Sequence, residues 1–166
     1  MNQLFVQCKK HCIDHPIRIF GAAVYGAKDI LKQPDRLSRP LADILNKVSA
    51  AAEEFKDDWS VTLVFDEQLA ELETAISIRR FVSGVKLPNV SHYPLMGVSH
   101  VSPGVQLADI GAYVIGRRAA DPRFEKWLRM VRNLEWTGKV DGRNRPGIQR
   151  WDYSTDGKVT VRQKWE

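Results

Sequence analysis

The chain has 166 residues and a mass of 18.9 kDa, with 43% hydrophobic and 27% charged residues. That is ordinary usage for one globular domain, and it argues against a collagen-like, disulfide-stapled or wholly disordered chain. The net charge of +5 is unevenly spread: residues 117–166 hold thirteen Lys/Arg against seven Asp/Glu, and the first 116 hold twelve against thirteen.

No apolar run approaches the ~20 residues that a bilayer-spanning helix needs, so no membrane partner is expected. The opening MNQLFVQCKKHCIDH has Cys and His where a signal peptide keeps an apolar stretch. With only Cys8 and Cys12 as cysteines, the expectation is a cytoplasmic, reducing location. The basic C-terminal third reads as an electrostatic footprint for nucleic acid, or as an ordinary solvated face.

In chain order, residues 2–14 read as a short helix that Pro16 ends. Residues 17–25, IRIFGAAVY, are rich in β-formers and read as a buried strand. Residues 26–40 carry Gly and two prolines and read as a loop. A helix is expected from Ser38, with Pro40 in its first turn and Leu41, Ile44, Leu45, Val48 and Ala52 as its apolar stripe. WSVTLVFDEQ alternates as a strand of about six residues ending at Asp66. Residues 67–82 then repeat Leu69, Leu72, Ala75 and Ile76 at helical spacing. SHYPLMGVS is a shorter strand, interrupted by Pro94. Ser102-Pro103 opens a helix over 103–119, with Ser at the N-cap and Pro in the first position. A further helix runs from Asp121 through Phe124, Trp127, Leu128, Val131 and Leu134.

Residues 138–147 are polar and rich in Gly and Arg. Residues 148–153 and 158–165 flank Asp156-Gly157, a hairpin turn signal. Strands alternating with helices predict an α/β domain, with residues 136–166 as a basic β-hairpin extension on a body of residues 1–135.

Several side chains could carry chemistry. Asp66 stands where a strand stops, followed by Glu67, and ligand sites in open α/β sheets gather at such ends. A carboxylate there suits a divalent cation, and it equally suits the cap of the next helix. Asp109 lies inside a largely apolar helix, on one face with Gln106 and Tyr113. A buried carboxylate needs an ion pair or a cation, and both remain open. Cys8, His11, Cys12 and His15 resemble a zinc tetrad. One helix would separate the outer two by about 10 Å, so a single zinc ion could not gather all four. A buried Cys pair with surface histidines is the other reading, and a zinc-bridged dimer a third. His92 and His100 flank the third strand, as site histidines or as loop histidines without function. Trp136, Trp151 and Trp165 suit contact with nucleic acid or protein, or packing of the hairpin on the body.

VTLVFDEQ, a helix, MGVSHVSPGVQLADIGAYVIGRR and the basic helix after it together resemble the domain-of-unknown-function 3800 family of bacteria and phages. The matching stretch is S-x-x-S-x-G-V-Q-L-A-D, set by Ser99, Ser102, Gly104, Gln106 and Asp109, and the resemblance covers about residues 15–135. It implies a ribonuclease-H-like mixed sheet flanked by helices, in which carboxylates hold two divalent cations. Carried over, Asp66 and Asp109 would be catalytic, and Asp66, Glu67 and Asp109 would bind Mg²⁺ or Mn²⁺. Ser99 and Gln106 would support them, and Arg117, Arg118, Arg129 and Arg132 would meet phosphates. The family opens with an acidic strand, Y-x-D-E-S-G, that residues 1–19 do not match. The expectation is therefore a sheet lacking its first strands, with an edge open to a partner chain or a second copy. Two functions follow: a metal-dependent nuclease, or an inactive module that binds nucleic acid or protein.

Overall fold

A computed structural model describes residues 17–27, 34–54, 60–66, 72–85, 87, 90–91, 95–98 and 101–163. The molecule is mixed α/β. In chain order its elements are β1 (Gly21–Tyr25), α1 (Pro34–Glu53), β2 (Val64–Asp66), α2 (Leu72–Val85), β3 (Leu95–Gly97) and α3 (Pro103–Ala120). A 3₁₀ turn (Pro122–Phe124) leads to α4 (Glu125–Arg132), followed by β4 (Thr137–Val140), β5 (Arg143–Pro146), β6 (Ile148–Tyr153) and β7 (Val159–Arg162).

The strands form three groups among the described residues: β1-β6-β7, β2-β3 and β4-β5. β6 runs parallel to β1, with Gly21 opposite Ile148 and Tyr25 opposite Asp152. β7 closes on β6 as the expected hairpin, and Gly157 takes the left-handed φ of 81° that its turn requires. The segment set apart in the sequence as an extension therefore supplies the central strand of the three-stranded sheet.

Both faces of that sheet are covered, as a parallel pair demands. On one face Ala23 and Ile148 pack with Val114 and Ile115 of α3 and with Leu128, Val131 and Leu134 in and after α4. Val114, Val131 and Ile148 have no exposed surface. Burying each contributes roughly 1.5–3 kcal/mol. Gly21 belongs here for space, since an added methyl would lie 3.0 Å from Ile115 Cδ1. On the opposite face, Gln149 points to α1.

There the ammonium of Lys47, fully buried, donates to Gln149 Oε1 at 2.9 Å and pairs with Asp43 Oδ2 at 2.5 Å. Burial pulls its pKa down, while Asp43 opposes the shift. Nearby, Glu135 accepts the N–H of Ile148 at 2.8 Å, and burial raises its carboxyl pKa.

Several boundaries differ from the sequence reading. The helix expected from Ser38 begins at Pro34, which places Pro40 in its interior. An interior proline loses one helical hydrogen bond and costs about 3 kcal/mol. The stripe of buried residues beyond it, such as Leu45 and Ala52, holds the helix regardless. Of the helix expected over 67–82, residues 67–71 lie outside the described residues, and the helix described runs over Leu72–Val85. β2 has three residues, preceded by a single bridge from Val61 to Val90. The helix expected from Asp121 is split, because Asp121 accepts from Arg123 N–H at 2.9 Å and closes a tight 3₁₀ turn first. Residues 138–147, unassigned by periodicity, lie within and beside the β4–β5 hairpin.

Lys47→Met leaves Gln149 Oε1 and Asp43 without their partner and is expected to lower stability by about 1–3 kcal/mol. Lys47→Met with Gln149→Leu should recover part of that loss, read as non-additivity in denaturant unfolding. Between its lowered folded pKa and the ~10.4 of a free lysine, the unfolded chain holds a proton the folded chain has released. Stability of the wild type should therefore rise with pH across that window, relative to Lys47→Met.

Candidate nucleic-acid interface

Asp66 is the last residue of β2 and stands opposite Gly97 of β3. A methyl added at Gly97 would lie 3.4 Å from Val105 Cγ2, so the first turn of α3 packs on this strand end. Asp109 follows Val105 by one turn. Backbone register thus brings the two expected carboxylate positions to neighbouring elements. Glu67 and Ser99 lie outside the described residues, as do Cys8, His11, Cys12, His15, His92, His100 and Trp165.

Asp109 is exposed, with Gln106 and Tyr113 exposed on the same side of α3. Water solvates its carboxylate, so it needs no buried partner. It makes no ion pair among the described residues. Nor do the described residues hold a group of three or more His, Cys, Asp or Glu placed to share a metal ion.

The basic residues are better defined. Arg117 lies over the Tyr113 ring at 5.5 Å, and Tyr113 meets Phe124 edge-on at 5.8 Å. Arg123 and Arg129 are 89% and 77% exposed, and Lys126 between them is exposed too. These three recur at steps of three along the 3₁₀ turn and α4, which gathers them on one ridge. Arg123 also holds the Asp121 carboxyl below its ordinary range by side-chain hydrogen bonds. Three of the expected phosphate contacts have partners within the chain, Arg129 through Glu125 Oε1 at 3.4 Å. Arg118 pairs with Glu125 Oε2 at 2.5 Å, and that hydrogen bond keeps the Glu125 carboxyl low. Arg132 donates to the Gln163 carbonyl at 3.4 Å, with its Nε buried.

From 117 to 132 the chain places six Lys/Arg against Asp121 and Glu125 alone. Lys139 and Arg143, exposed on the β4–β5 hairpin, are cations that sequence periodicity missed. The signal was present in Asp141-Gly142, whose φ values of 49° and 73° are those of a tight hairpin turn. Trp136 and Trp151 are 2% and 9% exposed, so they pack the tail onto the body and present no ring to a ligand. Comparison with protein-family models, curated proteins and solved structures returns no match for this chain.

Two substitutions separate surface from core here. Asp109→Asn should change stability by no more than about 0.5 kcal/mol, as expected for an open, unpaired side chain. Trp136→Ala should cost about 3–5 kcal/mol. Thermal and denaturant unfolding read both.

Proposed function

We propose that the chain is a nucleic-acid-binding protein, a ribonuclease-H-like relative that meets the phosphate backbone through the ridge of Arg123, Lys126 and Arg129. The observation that carries this reading is the concentration of cations at 117–132, six Lys/Arg against two acids, with Arg123 and Arg129 highly exposed even while they pair with Asp121 and Glu125. Charge of one sign on a compact patch attracts a polyanion and releases its counterions. Tyr113, 49% exposed and backed by Arg117, adds a flat aromatic surface on which a base can stack. Its neighbours Asp109 and Gln106 would then face the same strand.

Hydrolysis, the activity that the family resemblance implies, asks more of the chain. In that reading Asp66, Glu67 and Asp109 would hold Mg²⁺ or Mn²⁺, which would activate a water at a phosphodiester. The exposed cations support the binding step, which either reading requires.

Fluorescence anisotropy with labelled 20-nucleotide single strands and duplexes, DNA and RNA, tests it across a salt series. Affinity should fall steeply with salt. Replacing Arg123, Lys126 and Arg129 by Ala should flatten the log–log slope by about 2–3, as expected for three lost phosphate contacts. An unchanged slope would sink the proposal. Mn²⁺-dependent cutting that disappears in Asp109→Ala would restore the nuclease reading.

A further inference from the structure

We infer that the free edge of β1 is a docking slot for one extended, apolar segment of a partner protein, which adds to the sheet as a further strand. The main-chain hydrogen bonds fix which way the strand faces. Gly21 N–H donates to the Gly147 carbonyl at 3.0 Å, and Ile19 N–H donates to the Leu134 carbonyl at 2.8 Å. Odd-numbered residues therefore turn their polar groups toward β6, and by alternation Phe20, Ala22 and Val24 turn theirs the other way. Among the described residues no donor or acceptor meets them.

These groups border an apolar cavity of about 860 Å³ between α1 and α3. One wall is Ile44 and Val48 of α1, and the other is the side of α3 that carries Gly104, Ala108, Ala112 and Gly116. Those four recur every fourth residue and are exposed. At Gly104 and Gly116 an added methyl would meet nothing within 4 Å. The helix is thus shaved flat along the slot, with room above it for the side chains of an incoming strand.

The chemistry of the slot selects its occupant. Unpaired main-chain groups in apolar surroundings demand a main-chain partner, which a small apolar ligand does not supply. The lining is aliphatic apart from Arg18, Phe20 and Tyr25, so the entering side chains should be uncharged. A second copy is a poor fit. Its own β1 is recessed between the same two helices, and pairing requires strands about 4.8 Å apart. A free extended segment, matching the five residues of β1, can enter where a recessed edge cannot.

Amide hydrogen exchange on the whole chain reads the edge directly. Ala23 and Tyr25 should be protected, and Phe20, Ala22 and Val24 should exchange fast. A display library of random twelve-residue peptides then supplies a defined probe, with binding measured by anisotropy. The selected peptides should be rich in Val, Ile and Thr, and should slow exchange at Phe20, Ala22 and Val24. Ala22→Pro removes one outward donor without touching the β6 ladder, and Ala108→Trp fills the slot from an open helix position. Each should weaken binding by about ten-fold or more. Unfolding curves confirm that the variants fold, and either variant alone suffices for the test. The inference is overturned if the three outward amides are protected in the free protein, or if no peptide is selected. It is equally overturned by binding that survives Ala22→Pro, which would indicate a pocket for apolar ligands. A dimer in sedimentation that Ala22→Pro abolishes would assign the edge to a second copy instead.

Discussion

The parallel pairing of β1 with β6 is the contact on which the rest of the molecule depends. It ties a strand near residue 21 to one near residue 148. Such a pair closes a long loop of chain, an entropic cost that local contacts do not repay. It persists because both faces are buried. The α3–α4 cluster covers one and α1 covers the other. The 3₁₀ turn at Asp121 then lets α4 fold back so that Leu128 and Val131 reach Ile148.

The α1 side carries an expensive feature. Lys47 stands fully buried, and its ammonium is held by Asp43 and Gln149. Desolvating a charge costs several kcal/mol, and an apolar residue of similar shape would avoid it. The arrangement fixes the rotation of α1 over β6, because only one turn of that helix can present Lys47 to Gln149. Glu135, also desolvated, fixes the start of β6 through the Ile148 N–H. Two polar anchors thus set the position of a strand whose packing alone is apolar and permissive.

Function, as proposed, divides between two surfaces with opposite chemistry. The ridge of Arg123, Lys126 and Arg129 is charged and exposed, suited to a polyanion that water can still reach. The slot along β1 is apolar and walled, suited to a strand that displaces water. Both border α3, whose C-terminal turn carries Arg117 and whose small residues line the slot.

Much of this was legible in the sequence. The amphipathic spacing of α1 and α3, the hairpin at Asp156-Gly157 and the second half of the strand expected at 17–25, seen as Gly21–Tyr25, follow from periodicity and turn chemistry, which are local. The basic weight of residues 117–166 is likewise a property of composition. Other features required the fold. Lys47 reads as a solvent lysine until Gln149 is brought against it. Asp109 looks buried in an apolar helix until that side of the helix is seen to open on water. Arg118 is indistinguishable from Arg123 and Arg129 by type and spacing, and only the fold shows it partly buried against Glu125 while the other two stay exposed beside Asp121 and Glu125. The slot is the clearest case. Gly104, Ala108, Ala112 and Gly116 are a plain run of small residues in sequence, and only the β1 edge beside them gives that run a use. Local spacing is set by the chain's own helical and extended periods. Burial, partner choice and free edges are set by segments more than a hundred residues apart, and no local pattern carries that information.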